Sequence, residues 1–78
     1  MKKVILYSSP TCHYCHMAKD FFAEHGVPYT DKDVATDPEA RKEAIQKSRQ
    51  MGVPVIDIDG EIVIGFNQPR LAQLLDIA

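Results

Sequence analysis

The run Thr11-Cys12-His13-Tyr14-Cys15-His16 sets two thiols and two imidazoles side by side, and four chemistries use those groups at that spacing. Cys12 to His16 fits the C-x-x-C-H pattern of covalent haem attachment. Cys12 and Cys15 alone fit the C-x-x-C of a thiol pair that cycles through a disulfide. Thiolates with imidazoles hold zinc, and thiolates hold iron–sulfur clusters. The motif does not choose among these, so the choice falls to the chain that positions it.

Haem needs an axial ligand, for which Met17, Met51 and His25 are available, but c-type cytochromes are helical and mature outside the cytoplasm. Here three strand signals, a hairpin signal and the lack of an export segment stand against haem. A closed structural zinc site needs four ligands and usually draws a second pair from elsewhere. Outside the cluster only His25 remains, and His13 is adjacent to Cys12, a poor spacing for sharing one ion. A cluster held within one chain fails on the same ligand count, whereas one bridging two chains stays open. No resident metal or cofactor is therefore expected.

Length and composition set further bounds. Seventy-eight residues, 45% hydrophobic and 26% charged, suit one globular domain spanning residues 1–78 near the lower size limit for an unstapled core. A net charge of −2 without basic clusters offers no footprint for nucleic acid or for anionic lipid. The apolar run Val4–Tyr7 is shorter than the roughly 7–15 residues of a signal-peptide core and far from a membrane span. The reading is a complete cytoplasmic protein, expected to be a monomer. In a reducing compartment two cysteines three apart suggest redox or metal chemistry rather than a static staple.

The elements around the motif read as β-α-β-α-β-β-α. "KKVILYSS" is a short apolar run of a strand buried on both faces. From Cys12 to His25 the period turns helical, with Tyr14, Met17, Ala18, Phe21 and Phe22 on one stripe and Gly26 as the stop. "VPYTDKDV" is a more polar strand suited to an edge. Asp37 and Pro38 open a helix that Gly52 is expected to close. In "VIDIDGEIVIG", Asp59-Gly60 joins two strands as a hairpin, and Asn67 caps a last helix carrying Leu71, Leu74 and Leu75. The first three elements form a right-handed, parallel βαβ unit and the hairpin adds an antiparallel pair. The fold class is α/β: a mixed four-stranded sheet flanked by three helices.

This order puts Cys12 at the start of a helix directly after a strand. Unpaired N–H groups and the positive end of the helix dipole favour a thiolate there, and such a sulfur both attacks and leaves readily. Cys15, one turn further on, can reach back to resolve a mixed disulfide. A catalytic dithiol of Cys12 and Cys15 is the chemistry that position favours.

From Lys3 to Leu75 the chain resembles a glutaredoxin of the thioredoxin-fold superfamily. "YSSPTCHYCHMAK" is similar to the family's stretch around C-P-Y-C, "GVPVIDIDG" to its T-V-P segment and following strand, and "VIGFNQPRL" takes the place of its Gly-Gly turn before the last helix. The resemblance implies a thioredoxin fold and a thiol–disulfide oxidoreductase acting on protein disulfides or glutathione mixed disulfides. It implies a cis Pro54 facing the disulfide and a Val53 backbone that pairs with the substrate as an added strand would. It also implies a groove flanked by Thr11, His13 and Tyr14, with Gly65, Phe66 and Asn67 in the far turn.

Departures from the family pattern bear on mechanism. His13 replaces the usual proline, and a protonated imidazole there would make the disulfide more oxidising. Ser9 and Pro10 stand where a lysine often holds a glutathione carboxylate, and Gly65-Phe66-Asn67-Gln68 replaces the Gly-Gly-x-Asp turn. "GF" followed by Pro and a basic residue is similar to small bacterial redoxins that serve ribonucleotide reductase and draw electrons from thioredoxin reductase. The external reductant is thus glutathione or thioredoxin reductase. A dimeric cluster carrier and a non-catalytic redox sensor or adaptor are the alternatives. Of the remaining residues, His16 is expected on the surface or at the site's rim, His25 at the helix end, and Met17 and Met51 in the core. Phe66 is read as an exposed partner contact, and Lys47, Arg49 or Gln50 as possible binding groups.

Overall fold

The computed structural model describes residues 2–50 and 52–77; the expectation for Met51 lies outside them. Seven elements follow in the anticipated order: β1 (Val4–Ser8), α1 (His13–Glu24), β2 (Thr30–Asp33), α2 (Pro38–Ser48), β3 (Val55–Ile58), β4 (Glu61–Ile64) and α3 (Gln68–Leu75). The sheet runs β2-β1-β3-β4. β1 pairs in parallel with β2 and antiparallel with β3, and β3 pairs antiparallel with β4. The polar strand TDKD does lie at an edge.

Alternation along the strands divides the core. Val4 and Leu6, with Ile56, Ile58 and Val63, face α1 and α3, meeting Ala18, Phe21, Phe22 and Leu71. Ile5, Tyr7, Val55 and Ile62 face α2, meeting Ala40 and Ala44. Both faces of the central strands are therefore covered, which is why β1 reads as a continuous apolar run, and β3 is broken only by Asp57, which Lys47 of α2 pairs. No helix among the described residues is long and apolar enough to cross a membrane.

The helix ends follow from local chemistry. α1 closes in a Schellman motif: the Val27 amide donates to the Phe22 carbonyl at 2.8 Å and Gly26 to Ala23 at 3.2 Å, with Gly26 at φ 66°. Asp37 caps α2, its Oδ1 accepting from the amides of Glu39 and Ala40 at 3.1 and 3.3 Å. α2 stops before Gly52, however. Arg49 takes the left-handed conformation at φ 60° while its amide donates to Ile45 at 2.7 Å. The Ser48 hydroxyl, bonded to the Ala44 and Gln50 carbonyls, turns the chain there. Asp59 and Gly60, at φ 50° and 93°, form the two-residue hairpin turn.

One face was misjudged by period. The inward stripe of α1 is Cys15, Ala18, Phe21 and Phe22, while Tyr14 and Met17 are 58% and 37% exposed. Each lies one residue, about 100° of helix, before a buried neighbour. Counting the Cys15 thiol as a small hydrophobe shifts the stripe by one position, so Met17 is not a core residue.

Candidate active site

Ser9 to Cys12 form a tight turn closed by the Cys12 amide donating to the Ser9 carbonyl at 3.2 Å, with Pro10 at the position that suits its fixed φ. The turn delivers Cys12 to the N-cap of α1, where its backbone is extended. There the Cys12 Sγ accepts a hydrogen bond from the Cys15 amide at 3.1 Å. A sulfur thus takes the place of the usual capping oxygen and meets one of the unpaired N–H groups of the first turn. His16 braces the same turn from below, its ring Nε2 donating to the Pro10 carbonyl at 2.9 Å. That places His16 at the rim, as expected, with a positioning contact rather than a free ring.

The two thiols are free and unequal: Cys12 is half-buried and Cys15 is fully buried. Burial pushes the Cys15 thiol up to about 12; the contact with Cys12 and its charge add to this, and the Ser9 backbone and the Lys19 ammonium pull the other way. Lys19, one turn beyond Cys15, is held by Asp31 at 3.0 Å. The buried Ser8 hydroxyl donates to the other oxygen of Asp31 at 2.7 Å. Burial raises the Asp31 carboxyl, but the Ser8 and Lys19 hydrogen bonds outweigh it and hold the group below the usual range. This Ser8–Asp31–Lys19 chain escaped sequence reading, since its members sit in three elements joined only by the parallel β1–β2 pairing.

The other anticipated segments converge on this turn. The Val53–Pro54 peptide is cis, and Pro54 is buried. Its carbonyl accepts from the Gly65 amide at 2.9 Å, which ties the Val53–Pro54 segment to the Gly65–Asn67 turn. The pairing of Tyr7 with Val55 carries Ser9 toward Val53, and both border one hollow. Among the described residues Val53 has no hydrogen-bond partner for its N–H or its carbonyl. Thr11 is exposed in the turn. His13 is exposed with its ring edge-on to Tyr14 at 5.7 Å, and it makes no hydrogen bond to Cys12 among the described residues. Asn67 caps α3, its Oδ1 accepting from Arg70 at 3.2 Å.

Two expectations change, those for Phe66 and Lys47. Phe66 is half-buried, set against the core and edge-on to Phe21 at 6.0 Å, so it packs inward instead of standing out for a partner. Its neighbour Gly65, at φ 80°, turns the chain back over the sheet. Lys47 is engaged elsewhere: it donates to Asp57 at 2.7 Å and to the Tyr7 hydroxyl at 2.8 Å, and Tyr7 donates on to Glu43 at 2.8 Å. It therefore serves the α2 side of the sheet, while Arg49 and Gln50 stay exposed. His25 sits at the helix end as expected, the cap of α1, with its ring 4.5 Å from that of Phe21 and tilted 54° to it.

Comparison with known proteins agrees with this arrangement. The glutaredoxin family model matches residues 4–63. A glutaredoxin-like 8.6 kDa protein from the rubredoxin operon of Clostridium pasteurianum is 39% identical over 71 residues, covering 91% of this chain and 95% of that one. Glutaredoxin 3 of Escherichia coli K12 is 34% identical over 65 residues, covering 83% and 78%. Among solved structures, a variant of the thioredoxin-like protein BC3987 superposes over 100% of both chains with a TM-score of 0.93 at 37% identity. With the matched residues taking in the C-x-x-C turn, the cis-proline segment and the whole sheet but the end of β4, the chain belongs to the glutaredoxin family and has its thioredoxin fold.

Proposed function

We propose that this protein is an electron carrier that reduces disulfides through Cys12 and Cys15. The observation that carries the reading is the helix tip itself: the half-buried Cys12 sulfur receives the Cys15 amide at 3.1 Å, with the buried Cys15 thiol one turn behind it. Cys12, as thiolate, attacks one sulfur of a substrate disulfide and displaces the other, which leaves as a thiolate and takes up a proton. Cys15 then gives up its proton and attacks the Cys12 sulfur. The second substrate sulfur departs, a Cys12–Cys15 disulfide forms, and two electrons have passed to the substrate. An external reductant, glutathione or thioredoxin reductase, returns them.

The Val53 backbone, unpartnered among the described residues, supports docking of the substrate as an extended strand beside Pro54. We place this activity in the cytoplasm, where thiols are kept reduced, and in the monomer, since one chain supplies both sulfurs. Cys12→Ser should abolish turnover. Cys15→Ser should accumulate mixed disulfides with protein substrates, yet retain activity on glutathione mixed disulfides if glutathione can resolve Cys12. Full activity in Cys12→Ser would overturn the roles. NADPH oxidation coupled to a small disulfide, with glutathione and its reductase in one arm and thioredoxin reductase alone in the other, identifies the reductant.

A further inference from the structure

We infer that Ser8, Asp31 and Lys19 form a tether that holds an ammonium beside Cys15 and so speeds the second step of disulfide exchange, in which Cys15 displaces the substrate. The tether begins in β1. Ser8 ends that strand on the side facing α1 and is 2% exposed. Its hydroxyl donates to Asp31 Oδ1 at 2.7 Å. Asp31 comes from β2, which the parallel register sets beside β1 with Leu6 opposite it. The other carboxylate oxygen takes the Lys19 Nζ at 3.0 Å. Lys19 follows Cys15 by one turn of α1, so the two side chains are neighbours on the helix surface. Three elements thus converge to fix one cation beside the buried thiol.

A solvated surface pair contributes little and needs no buried hydroxyl to orient its carboxylate. Here the Ser8 hydroxyl is committed to that task. Burial works against the Asp31 charge, but the Ser8 and Lys19 hydrogen bonds keep it ionised, so Asp31 is a fixed anion and takes no proton from Cys15. The hydrogen bond to Asp31 in turn holds the Lys19 ammonium above its usual range. The other titratable groups facing this pair are Cys12 at the N-cap of α1 and Tyr29 from the segment before β2. In the reduced protein Cys12 and Lys19 act on the Cys15 proton in opposite senses. Joined to the substrate, Cys12 carries no charge, and Lys19 still pulls toward the Cys15 thiolate as resolution occurs. In that step Cys15 loses its proton and attacks the Cys12 sulfur. The bond from Cys12 to the substrate breaks and a Cys12–Cys15 bond forms. The departing sulfur leaves with the electron pair and takes up a proton in place of the one Cys15 lost.

The inference rests on the dithiol reading above and is tested on the whole reduced protein with dithiobis(nitrobenzoate) in stopped flow. Attack by Cys12 releases a first thionitrobenzoate in a phase whose rate scales with reagent concentration. Resolution by Cys15 releases a second in a phase that does not. Lys19→Gln and Lys19→Met remove the charge, Gln keeping a hydrogen-bond donor toward Asp31, while Lys19→Arg retains it; each is checked for fold by circular dichroism. The second phase should slow about three- to tenfold in both neutral variants and stay within about twofold of the wild type in Lys19→Arg. A second readout separates charge from packing: alkylation of Cys15 in Cys12→Ser with and without Lys19→Gln. Loss of the charge should move that profile to higher pH by about half to one unit, whereas loosened packing would expose the thiol and speed its alkylation. A second phase unchanged in the neutral variants would overturn the inference. So would Lys19→Arg as slow as Lys19→Met, or a Cys15 profile unmoved or moved to lower pH by Lys19→Gln. Failure of the dithiol reading looks different: the wild type itself would release no second thionitrobenzoate.

Discussion

Consuming Cys12 should make Cys15 more acidic. In the reduced protein burial is the largest influence pushing the Cys15 thiol up to about 12, and the Cys12 sulfur adds to it both through direct contact and through its charge. A thiol titrating near 12 is ionised in about one molecule in 100,000 at pH 7. Capture of Cys12 in a mixed disulfide removes its charge and its thiol contact while the burial of Cys15 remains. The resolving thiolate is therefore scarce until the first step has occurred, and more abundant afterwards. While it stays the minor form, its abundance climbs about tenfold per pH unit. The assay is stopped-flow resolution of a Cys12 mixed disulfide between about pH 6 and pH 9. It is paired with alkylation profiles of Cys15 in the wild type and in Cys12→Ser. Resolution should accelerate steadily with pH, and Cys15 should titrate lower in Cys12→Ser than in the wild type. A resolution rate flat across that range, or an unmoved Cys15 profile, would mean that Cys12 does not set the acidity of Cys15.

The fold offers its own tests. Phe22→Ala deletes a fully buried ring from the α1 side of the sheet and should cost about 3–5 kcal/mol in guanidinium unfolding; a loss below about 1 kcal/mol would contradict the assigned core. Burial works against the Asp57 carboxylate, but hydrogen bonds from Lys47 and the Gly60 amide hold it below the usual range. A carboxylate depressed in the folded state contributes stability above its unfolded value near 3.8 that is lost as pH falls through the folded one. Lys47→Met should therefore lose about 1–3 kcal/mol at neutral pH and show a shallower decline in acid than the wild type. Asp37→Ala, which strips the α2 cap, should cost about 1 kcal/mol, read as a lower thermal midpoint.

Much of this architecture is written in local signals. Asp37-Pro38, Gly26 and Asp59-Gly60 mark ends and turns because each residue type suits a particular backbone need, and the structure uses all three as such. Cys12 at a helix start followed from a strand that Pro10 and Thr11 break off just before it. What escaped has a common cause: side chains whose partners are distant in sequence. The helical period could not reveal that a buried thiol, not Tyr14, leads the inward stripe of α1. Phe66 in a turn looked exposed because Phe21, 45 positions earlier (66 − 21), is what it packs on. Lys47 near the site looked available because its partners, Tyr7 and Asp57, lie on β1 and β3, distant in sequence from α2. The hollow that Ser9, Arg41 and Val53 border likewise exists only once β1, β3 and α2 are assembled.

Whether Cys12 and Cys15 exchange two electrons with a disulfide can be read by mass spectrometry of the protein after reaction with one equivalent of a small disulfide, with free thiols then alkylated under denaturing conditions. The expected products are an unalkylated wild type lighter by two hydrogens, with Cys12 and Cys15 joined, and a persistent adduct on Cys12 in Cys15→Ser. Recovery of wild-type protein with both cysteines alkylated would rule the exchange out.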